Sequence, residues 1–326
     1  MSVLVTGASG FVGAHVVEEL IAAGYRGIVA ADLESPPASV LAAWHGGDVR
    51  LVTLDVSDPK AVGALMVSIK PEFVVHAAAV TPDLEEEARD FASIVAVNAG
   101  GTANVLDAAA RVGTVQRAIV FSSSAVYNGM SHYPDPLREN SSLVHAPTTL
   151  YAVTKFACEG LANRMVATGR LSVAAIRVCS AYGPLERATA SRRAPRTSLI
   201  YRLTLATISG ASVRVSKADA GRDWVHGSDI GRAVAGLLAA STLDHVVYNV
   251  SSGQAIRFRE LVRLFREEGL QAVDVEDNFE IGVSPEENRP AIANAQLVGQ
   301  TGFQPRIAVP EGIRMLIAYH RQGRAA

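Results

Sequence analysis

Two residues in the middle of the chain have the types and the spacing of a proton-transfer pair. Tyr151 and Lys155 lie four positions apart, so a helix would place both side chains on one face. The ammonium group of Lys155 would favour the ionised phenol, and Tyr151 could then take a proton from a substrate hydroxyl or return it. Ser123, near the end of a predicted strand, offers a hydroxyl that could orient the same substrate oxygen. A lone tyrosine-lysine pair is common on surface helices, so this pair indicates chemistry only together with other signals.

A glycine-rich turn near the N-terminus is typical of a dinucleotide-binding site. The residues Thr-Gly-Ala-Ser-Gly-Phe-Val-Gly occupy positions 6–13, between the first predicted strand and the first predicted helix. Gly7 would permit the tight turn, Gly10 would let a pyrophosphate approach the backbone, and Gly13 would allow the helix to pack closely on the strand. The helix N-terminus would attract the phosphates. Because the spacing coincides with a strand-turn-helix position, it predicts dinucleotide binding strongly.

The acidic residue after the second strand indicates which dinucleotide binds. Asp32 follows Gly13 by 19 residues, and a carboxylate at this distance can accept hydrogen bonds from the ribose hydroxyls of the adenosine. It would also repel a 2′-phosphate, so NAD is favoured over NADP as the cofactor. The alternative is a glycine turn followed by a solvated aspartate. Asp55, after the third strand, could face the adenine or could cap the helix that starts near Pro59.

The order of predicted elements gives these residues a common framework. Short, nearly continuous apolar runs predict strands that are buried on both faces, at Ser2–Thr6, Ile28–Asp32, Arg50–Leu54, Phe73–His76, Ala118–Phe121 and Ser172–Arg177. Longer segments between them predict helices at Phe11–Ala23, Pro59–Ile69, Phe91–Val112 and Leu150–Thr168. This alternation predicts an α/β fold of the Rossmann type, with a doubly wound parallel sheet.

The regular alternation ends after Arg177. Residues 182–197 are rich in Arg, Ala, Ser and Pro, which predicts an irregular loop. A helix at Ser228–Ala240 and a strand at Val246–Val250 would return to the main sheet, and helices at Phe258–Glu268 and Val309–His320 would belong to a smaller C-terminal lobe. We therefore predict an NAD-binding domain from residues 1–178 and 221–250, and a substrate-binding lobe from residues 179–220 and 251–326.

Composition and charge exclude several classes of protein. A chain of 326 residues that is 49% hydrophobic can bury a large core, which excludes a disordered protein. The 30 basic and 32 acidic residues leave a formal charge of -2, so no strong field would attract nucleic acid or an anionic membrane. Two cysteines without ligand-type spacing predict no metal site and suit a reducing compartment, with the cytoplasm as the default. Neither a signal-like segment nor an apolar run of membrane-spanning length is evident.

Taken as a set, the motifs resemble those of the extended short-chain dehydrogenase/reductase family, also called the NAD-dependent epimerase/dehydratase family. The matching segments are residues 6–13, Asp32, residues 76–79, 98–102, 122–127 and 151–155, and further on residues 177–184, 222–226, Asp229 and residues 248–253. The resemblance spans nearly the whole chain. It implies that Tyr151 is the acid/base and that Lys155 is a ribose ligand that modulates the acidity of Tyr151.

The resemblance also implies a set of cofactor contacts, which comprises the glycine loop, two acidic residues, small residues after the fourth strand, and the catalytic helix. These residues are Gly7, Ser9, Gly10, Phe11, Val12, Gly13, Asp32, Asp55, Val56, Ala77, Ala78, Ala79, Asn98, Tyr151 and Lys155. Asn98 could hold a water or a backbone carbonyl near the site, or could pack a helix onto the sheet. His76 is interpreted as a structural residue at a strand end.

The identity of the catalytic serine depends on how the motif is counted. Counting back from Val126 and Tyr127 selects Ser123, whereas counting forward from Phe121 can select Ser124. We expect Ser123 to bind the substrate hydroxyl and Ser124 to contact another part of the substrate.

The substrate side of the expected site is cationic. Nucleotide-sugar enzymes that this sequence resembles hold a diphosphate with an asparagine, where this chain has Ser180, and with arginines of the C-terminal lobe. Arg222 and Arg289 stand at such positions, and a guanidinium suits phosphate or carboxylate. An anionic, sugar-type substrate is therefore expected. Arg187 is the first of four arginines in the irregular loop, which could clamp the substrate or could simply be solvated.

Three functions stay open at this point. The first is an epimerase or dehydratase of a nucleotide-linked sugar, which oxidises a carbinol and returns the hydride. The second is a net dehydrogenase of a small sugar acid or hydroxy acid, which Ser180 favours. The third is a non-catalytic dinucleotide sensor, against which the intact Tyr151 argues. Dehydration ranks below epimerisation, because Ser124 and Ala125 stand where similar dehydratases carry Asp-Glu. The resemblance also implies a homodimer, formed by the helices that contain Tyr151 and Asn98.

Overall fold

A parallel sheet of seven strands forms the centre of the protein. The computed structural model describes residues 1–128, 136–141, 148–187, 198–216, 218–271, 273–276 and 289–323. Its strands are β1 (Val3–Thr6), β2 (Ile28–Asp32), β3 (Val49–Thr53), β4 (Phe73–His76), β5 (Arg117–Ser123), β6 (Val173–Val178), β7 (Ser180–Tyr182), β8 (Val213–Ser216), β9 (Gly221–His226), β10 (Val247–Val250), β11 (Ala255–Arg257) and β12 (Val273–Glu276). The main sheet has the order β10-β6-β5-β4-β1-β2-β3, and all of its neighbouring strands are parallel. The predicted doubly wound Rossmann-type sheet is confirmed.

Helices cover both faces of this sheet. They are α1 (Phe11–Ala22), α2 (Ala38–Ala43), α3 (Pro59–Ile69), α4 (Leu84–Val95), α5 (Gly101–Val112), α6 (Leu150–Ala167), α7 (Leu199–Ser209), α8 (Gly227–Ala239), α9 (Phe258–Glu267), α10 (Ala295–Thr301) and α11 (Val309–Arg321). Apolar side chains of α1 and α8 pack on one face of the sheet, and those of α3, α5 and α6 pack on the other. Two apolar layers around one parallel sheet fit interior strands whose side chains are buried on both faces. The prediction was wrong for β3, which lies at the edge of the sheet and is half-buried or exposed along its length.

The helix predicted at Phe91–Val112 differs from the structure. A helix starts earlier, at Leu84, where Asp83 caps it and exchanges hydrogen bonds with Glu86 in a capping box. A π-helical turn at Ala96–Gly100 then separates α4 from α5. The prediction of one helix from Phe91 was wrong. The acidic first turn of α4 interrupts the apolar pattern of its sequence, and the π turn shifts the spacing of apolar residues from that of a regular α-helix.

The second half of the chain contains elements that the sequence analysis did not predict. Tyr182 belongs to β7 rather than to a loop, and β7 lies beside β9 in a small three-stranded sheet with β11. A third apolar cluster joins α7, α9 and α11 through side chains such as Ile200, Phe265 and Ile313. Residues 188–197 of the predicted loop lie outside the described residues. The division of the chain into two domains stays a prediction. Across the described ranges, no helix combines the length and the apolar character needed to cross a membrane.

Candidate active site

The glycine loop lies at the end of β1, where the strand order reverses between β1 and β4. Gly7 has a φ of +71°, and a Cβ atom there would lie 2.4 Å from the backbone nitrogen of Ala78. A Cβ atom on Gly13 would lie 2.0 Å from the carbonyl oxygen of Gly7. Only glycine fits at either position. Gly10 precedes α1, whose first turn carries no side-chain cap. The N–H groups of that turn can therefore face phosphate oxygens, and the loop fits a dinucleotide.

Asp32 lies beside this loop at the end of β2. Its half-buried carboxylate accepts hydrogen bonds from the N–H groups of Ser9 (2.9 Å) and Leu33 (2.7 Å). These two bonds hold the carboxylate at the edge of the loop. A carboxylate held there is suited to accept bonds from ribose hydroxyls.

Asp55 is exposed and does not cap α3. It accepts hydrogen bonds from the N–H and hydroxyl of Ser57, whereas Asp58 caps α3. The interpretation of Asp55 as the helix cap was wrong. The neighbouring Val56 is buried, and its side chain packs on Gly101 of α5. Contact of Asp55 and Val56 with the adenine stays a prediction.

The side-chain amide of Asn98 forms hydrogen bonds to other residues of the protein. Its Oδ1 accepts from the N–H of Val80 (2.7 Å), and its Nδ2 donates to the carbonyl of Val80 and to Oγ1 of Thr154. These bonds fasten the chain that follows Ala77, Ala78 and Ala79 to α6. Such a role agrees with the packing alternative for Asn98.

His76 ends β4 and is buried. Its Nδ1 lies 2.7 Å from Oγ1 of Thr6, its neighbour across the sheet. Burial, assisted by the nearby charge of Lys155, lowers the pKa of His76 to about 3. The ring is neutral near pH 7, which agrees with the structural interpretation.

Tyr151 and Lys155 lie in the first turns of α6, which packs beside β5. Lys155 is buried, its Nζ donates to the carbonyl of Phe121 (2.8 Å), and the same atom lies 5.7 Å from the centroid of the Tyr151 ring. Tyr151 is half-buried. The ammonium group is therefore held between β5 and the Tyr151 ring.

The three serines at the end of β5 face different partners. Ser122 is buried and donates to Glu159. Ser124 is also buried, and its Oγ accepts from Nη1 of Arg289 (2.8 Å). Ser123 is half-buried, and its Oγ accepts from the N–H of Ala125, which leaves its own proton available as a donor. Each of these two hydroxyls accepts one bond and keeps its own proton, and Ser123 is the less buried of the two; Ser123 as the hydroxyl that orients a substrate oxygen stays a prediction.

A buried ion pair beneath these serines was not found from the sequence. Arg177 of β6 forms a bidentate pair with Glu159 of α6, at 2.8 and 2.7 Å, and also donates to the hydroxyl of Tyr127. The same Glu159 holds Ser122, whose Oγ also contacts the backbone oxygen of Lys155 (3.4 Å). A Lys-x-x-x-Glu spacing on α6 was the available signal, because it continues the face that carries Tyr151 and Lys155.

The residues expected on the substrate side do not all converge. Arg289 has a buried side chain beside Ser124, while Arg222 and Ser180 are half-buried on β9 and β7. Arg187 donates instead to the carbonyl of Ser9 in the glycine loop (2.8 Å). The other arginines of the predicted loop, Arg192, Arg193 and Arg196, lie outside the described residues.

Comparisons with known proteins show which family the sequence matches. The model of the NAD dependent epimerase/dehydratase family matches residues 3–251. The chain is 27% identical to GDP-6-deoxy-D-mannose reductase of Pseudomonas aeruginosa, covering 96% of this chain and 95% of that protein. It is 26% identical to UDP-glucose 4-epimerase of Mycolicibacterium smegmatis, covering 98% and 99%. The solved structure of MoeE5 in complex with UDP-glucuronic acid and NAD is 29% identical, with a TM-score of 0.81 and coverage of 99% and 100%.

Proposed function

Since the chain belongs to the NAD-dependent epimerase/dehydratase family, we propose that it is a nucleotide-sugar epimerase with NAD as its cofactor. The observation that carries the proposal is that Lys155, one helical turn from Tyr151, is hydrogen-bonded to β5 two residues before Ser123, at the end of the sheet where the glycine loop lies. This arrangement supports reversible proton removal from a carbinol. The family and the Rossmann-type sheet support the dinucleotide.

The three residues divide the proton transfer among them. Ser123 donates a hydrogen bond to the reacting hydroxyl, and ionised Tyr151 takes the proton from that hydroxyl. Lys155 is held by the carbonyl of Phe121 with its ammonium group near the Tyr151 ring, where it would stabilise negative charge on the phenol. Bound NAD supplies the hydride acceptor. The residues that would hold it are those of the glycine loop together with Asp32.

An anionic part of the substrate is proposed to be a diphosphate. Arg289 brings a buried guanidinium to Ser124, next to the reacting serine, and a guanidinium can bind phosphate oxygens in a bidentate manner. The similarity to MoeE5, which was solved with UDP-glucuronic acid, supports a nucleotide sugar. Arg222, half-buried on β9, is proposed to contribute a second charge.

Epimerisation is favoured over dehydration by the residues after Ser123. The hydroxyl of Ser124 is engaged by Arg289, and Ala125 has no ionisable group. Elimination of water needs an acid and a base beside the reacting carbon. A net dehydrogenase is the second candidate, because Ser180 stands where similar nucleotide-sugar enzymes hold the diphosphate with asparagine.

The test is to incubate the purified protein with NAD and either UDP-glucuronic acid or UDP-glucose, and to follow the sugar by NMR. An epimer that forms without accumulation of NADH would support the proposal. One NADH released per sugar oxidised would instead support the dehydrogenase. If NAD binds but neither sugar reacts, the proposed substrates are wrong, and an NAD content measured on the denatured protein would show whether cofactor was retained.

We also propose that two protomers associate through α4 and α6. Phe91 is 57% exposed, Val153 is 47% exposed and Phe156 is 44% exposed, and the helices that carry them pack together. Apolar side chains exposed together on neighbouring helices are typical of a subunit interface. Light scattering should give the mass of a dimer, and Phe156→Glu should give a monomer. Met315→Glu, at an exposed site on α11, is the control. A wild-type protein that is monomeric at micromolar concentration would contradict the proposal.

A further inference from the structure

The segment that follows β7 reaches the glycine loop and is fastened there by two hydrogen bonds. We name residues 183–187 the strap. Nε2 of His15, on α1, lies 2.6 Å from the carbonyl oxygen of Pro184. Nη2 of Arg187 donates to the carbonyl oxygen of Ser9 (2.8 Å). The strap thus joins residues that are 169 and 178 positions apart in the sequence.

The strap has a conformation that requires support from its surroundings. Leu185 has a φ of +68°, which residues other than glycine rarely adopt. Its side chain is buried. Glu186 is buried as well, and its carboxylate accepts hydrogen bonds from the N–H (2.6 Å) and the hydroxyl (2.8 Å) of Ser198, which caps α7. The strap is therefore anchored to α7 on one side and to the glycine loop on the other.

One donor of Arg187 has no acceptor. Its Nη1 is buried and lacks a hydrogen-bond partner within the part of the chain that the structure describes. Burial of a guanidinium N–H group away from water costs free energy unless the group donates a hydrogen bond to an acceptor. The next residue after Ser9 is Gly10, where α1 begins without a side-chain cap. The guanidinium and the helix N-terminus both attract an anion, and the pyrophosphate of a dinucleotide is the anion that such a turn binds.

We propose that Arg187 binds the pyrophosphate of NAD, with Nη2 on Ser9 and Nη1 on a phosphate oxygen, and that the strap retains the cofactor between turnovers. This inference rests on the proposed function, because an enzyme that returns hydride in each cycle benefits from a cofactor that stays bound. Arg187, which was expected to bind the substrate, is thus proposed to bind the cofactor. Arg289 remains on the substrate side, beside Ser124.

The first experiment measures cofactor binding rather than activity. Protein freed of cofactor is titrated with NAD, with ADP-ribose and with adenosine in a calorimeter. Arg187→Met should weaken NAD and ADP-ribose by about 10- to 100-fold, the effect of one charge-assisted hydrogen bond to phosphate. It should leave adenosine unchanged, because adenosine has no phosphate. Arg202→Met, at an exposed arginine of α7, should change none of the three affinities.

The second experiment measures retention. NADH should dissociate from Arg187→Met faster than from the wild type by a similar factor, as followed by stopped-flow fluorescence. The NADH dissociation rate of Arg187→Lys should lie between those of the wild type and Arg187→Met. A lysine keeps the positive charge, but its single ammonium group lacks the two guanidinium N–H groups that reach Ser9 and phosphate together. The lysine variant also keeps the test decisive if the methionine variant does not fold.

The possible contradictions are distinct. If Arg187→Met binds NAD and ADP-ribose normally but has a raised KM for the nucleotide sugar, Arg187 is a substrate ligand and the inference is wrong. Unchanged affinities together with an unchanged KM would overturn it too. A wild-type protein that binds no NAD would overturn the proposed function itself.

Discussion

The buried pair of Arg177 and Glu159 allows a prediction whose size follows from its surroundings. The two side chains are only 4% and 3% exposed. In Arg177→Met, the carboxylate of Glu159 would keep, among the described residues, only the hydroxyl of Ser122 as a side-chain donor. In Glu159→Leu, the guanidinium would keep the hydroxyl of Tyr127 and a backbone carbonyl. Each single variant therefore leaves a buried charge without its partner, and each should lose about 3–5 kcal/mol of unfolding free energy.

The double variant removes both charges together and should be less destabilised than the two losses combined. Tyr127 would still donate to Asn249 or to the carbonyl of Arg138. Neither member of the pair would then leave an unpaired buried charge, so we expect a loss of no more than about 3 kcal/mol. The coupling between the two substitutions should then be about 3 kcal/mol or more.

Urea unfolding of the four proteins, followed by tryptophan fluorescence, measures this coupling. The exposed pair of Asp107 and Arg170 provides the control, because their side chains are 38% and 44% exposed. The same cycle there should give a coupling of about 1 kcal/mol or less. If the losses at Arg177 and Glu159 simply add, within about 0.5 kcal/mol, the reasoning about an uncompensated buried charge is refuted.

Three further predictions concern the site and the strap. Tyr151→Phe should lose orders of magnitude in turnover but keep its affinity for NAD in calorimetry; comparable turnover would remove Tyr151 from the mechanism. Burial raises the pKa of Glu186 from 4.5 to about 7, so its contribution to stability is full below about pH 4.5 and disappears as the pH rises through about 7. In urea unfolding at several pH values, Glu186→Gln should reduce the change of unfolding free energy with pH by up to about 3 kcal/mol. A pH profile equal to that of the wild type would contradict the raised pKa of Glu186. Gly13→Ala places a methyl group 2.0 Å from the carbonyl of Gly7 and should abolish NAD binding in calorimetry, whereas Gly63→Ala, where a Cβ atom meets nothing within 4 Å, should not.

The sheet could be predicted from the sequence because parallel strands in the interior are apolar on both faces. Strands such as β4 and β6 are buried along their whole length. By contrast, β9 contains the charged residues Arg222 and Asp223, so its sequence lacks the apolar run that predicts a strand. Its partners β7 and β11 are short. The start of α4 was missed although Asp83 and Glu86 have capping-box spacing, since three acidic residues follow in its first turn.

The local geometry of the candidate site could be predicted where its residues are close in sequence. Tyr151 and Lys155 share a helix, and Gly7 and Gly13 share a loop, so their spacing carries the geometry. The contact between Arg187 and Ser9 depends on how the chain returns to the glycine loop after β7. Such long-range contacts follow from topology, which no local pattern specifies.

The position of β10 has a consequence for how the protein is made. Synthesis delivers β1 to β6 first, but β6 gains its outer neighbour only when residues 247–250 leave the ribosome. Until then β6 presents an open edge, which is a template for pairing with other chains. A nascent chain that stalls before this point should depend on chaperones to avoid aggregation. A gene truncated before residue 247 should accordingly yield insoluble protein, even though it encodes the whole glycine loop and α6.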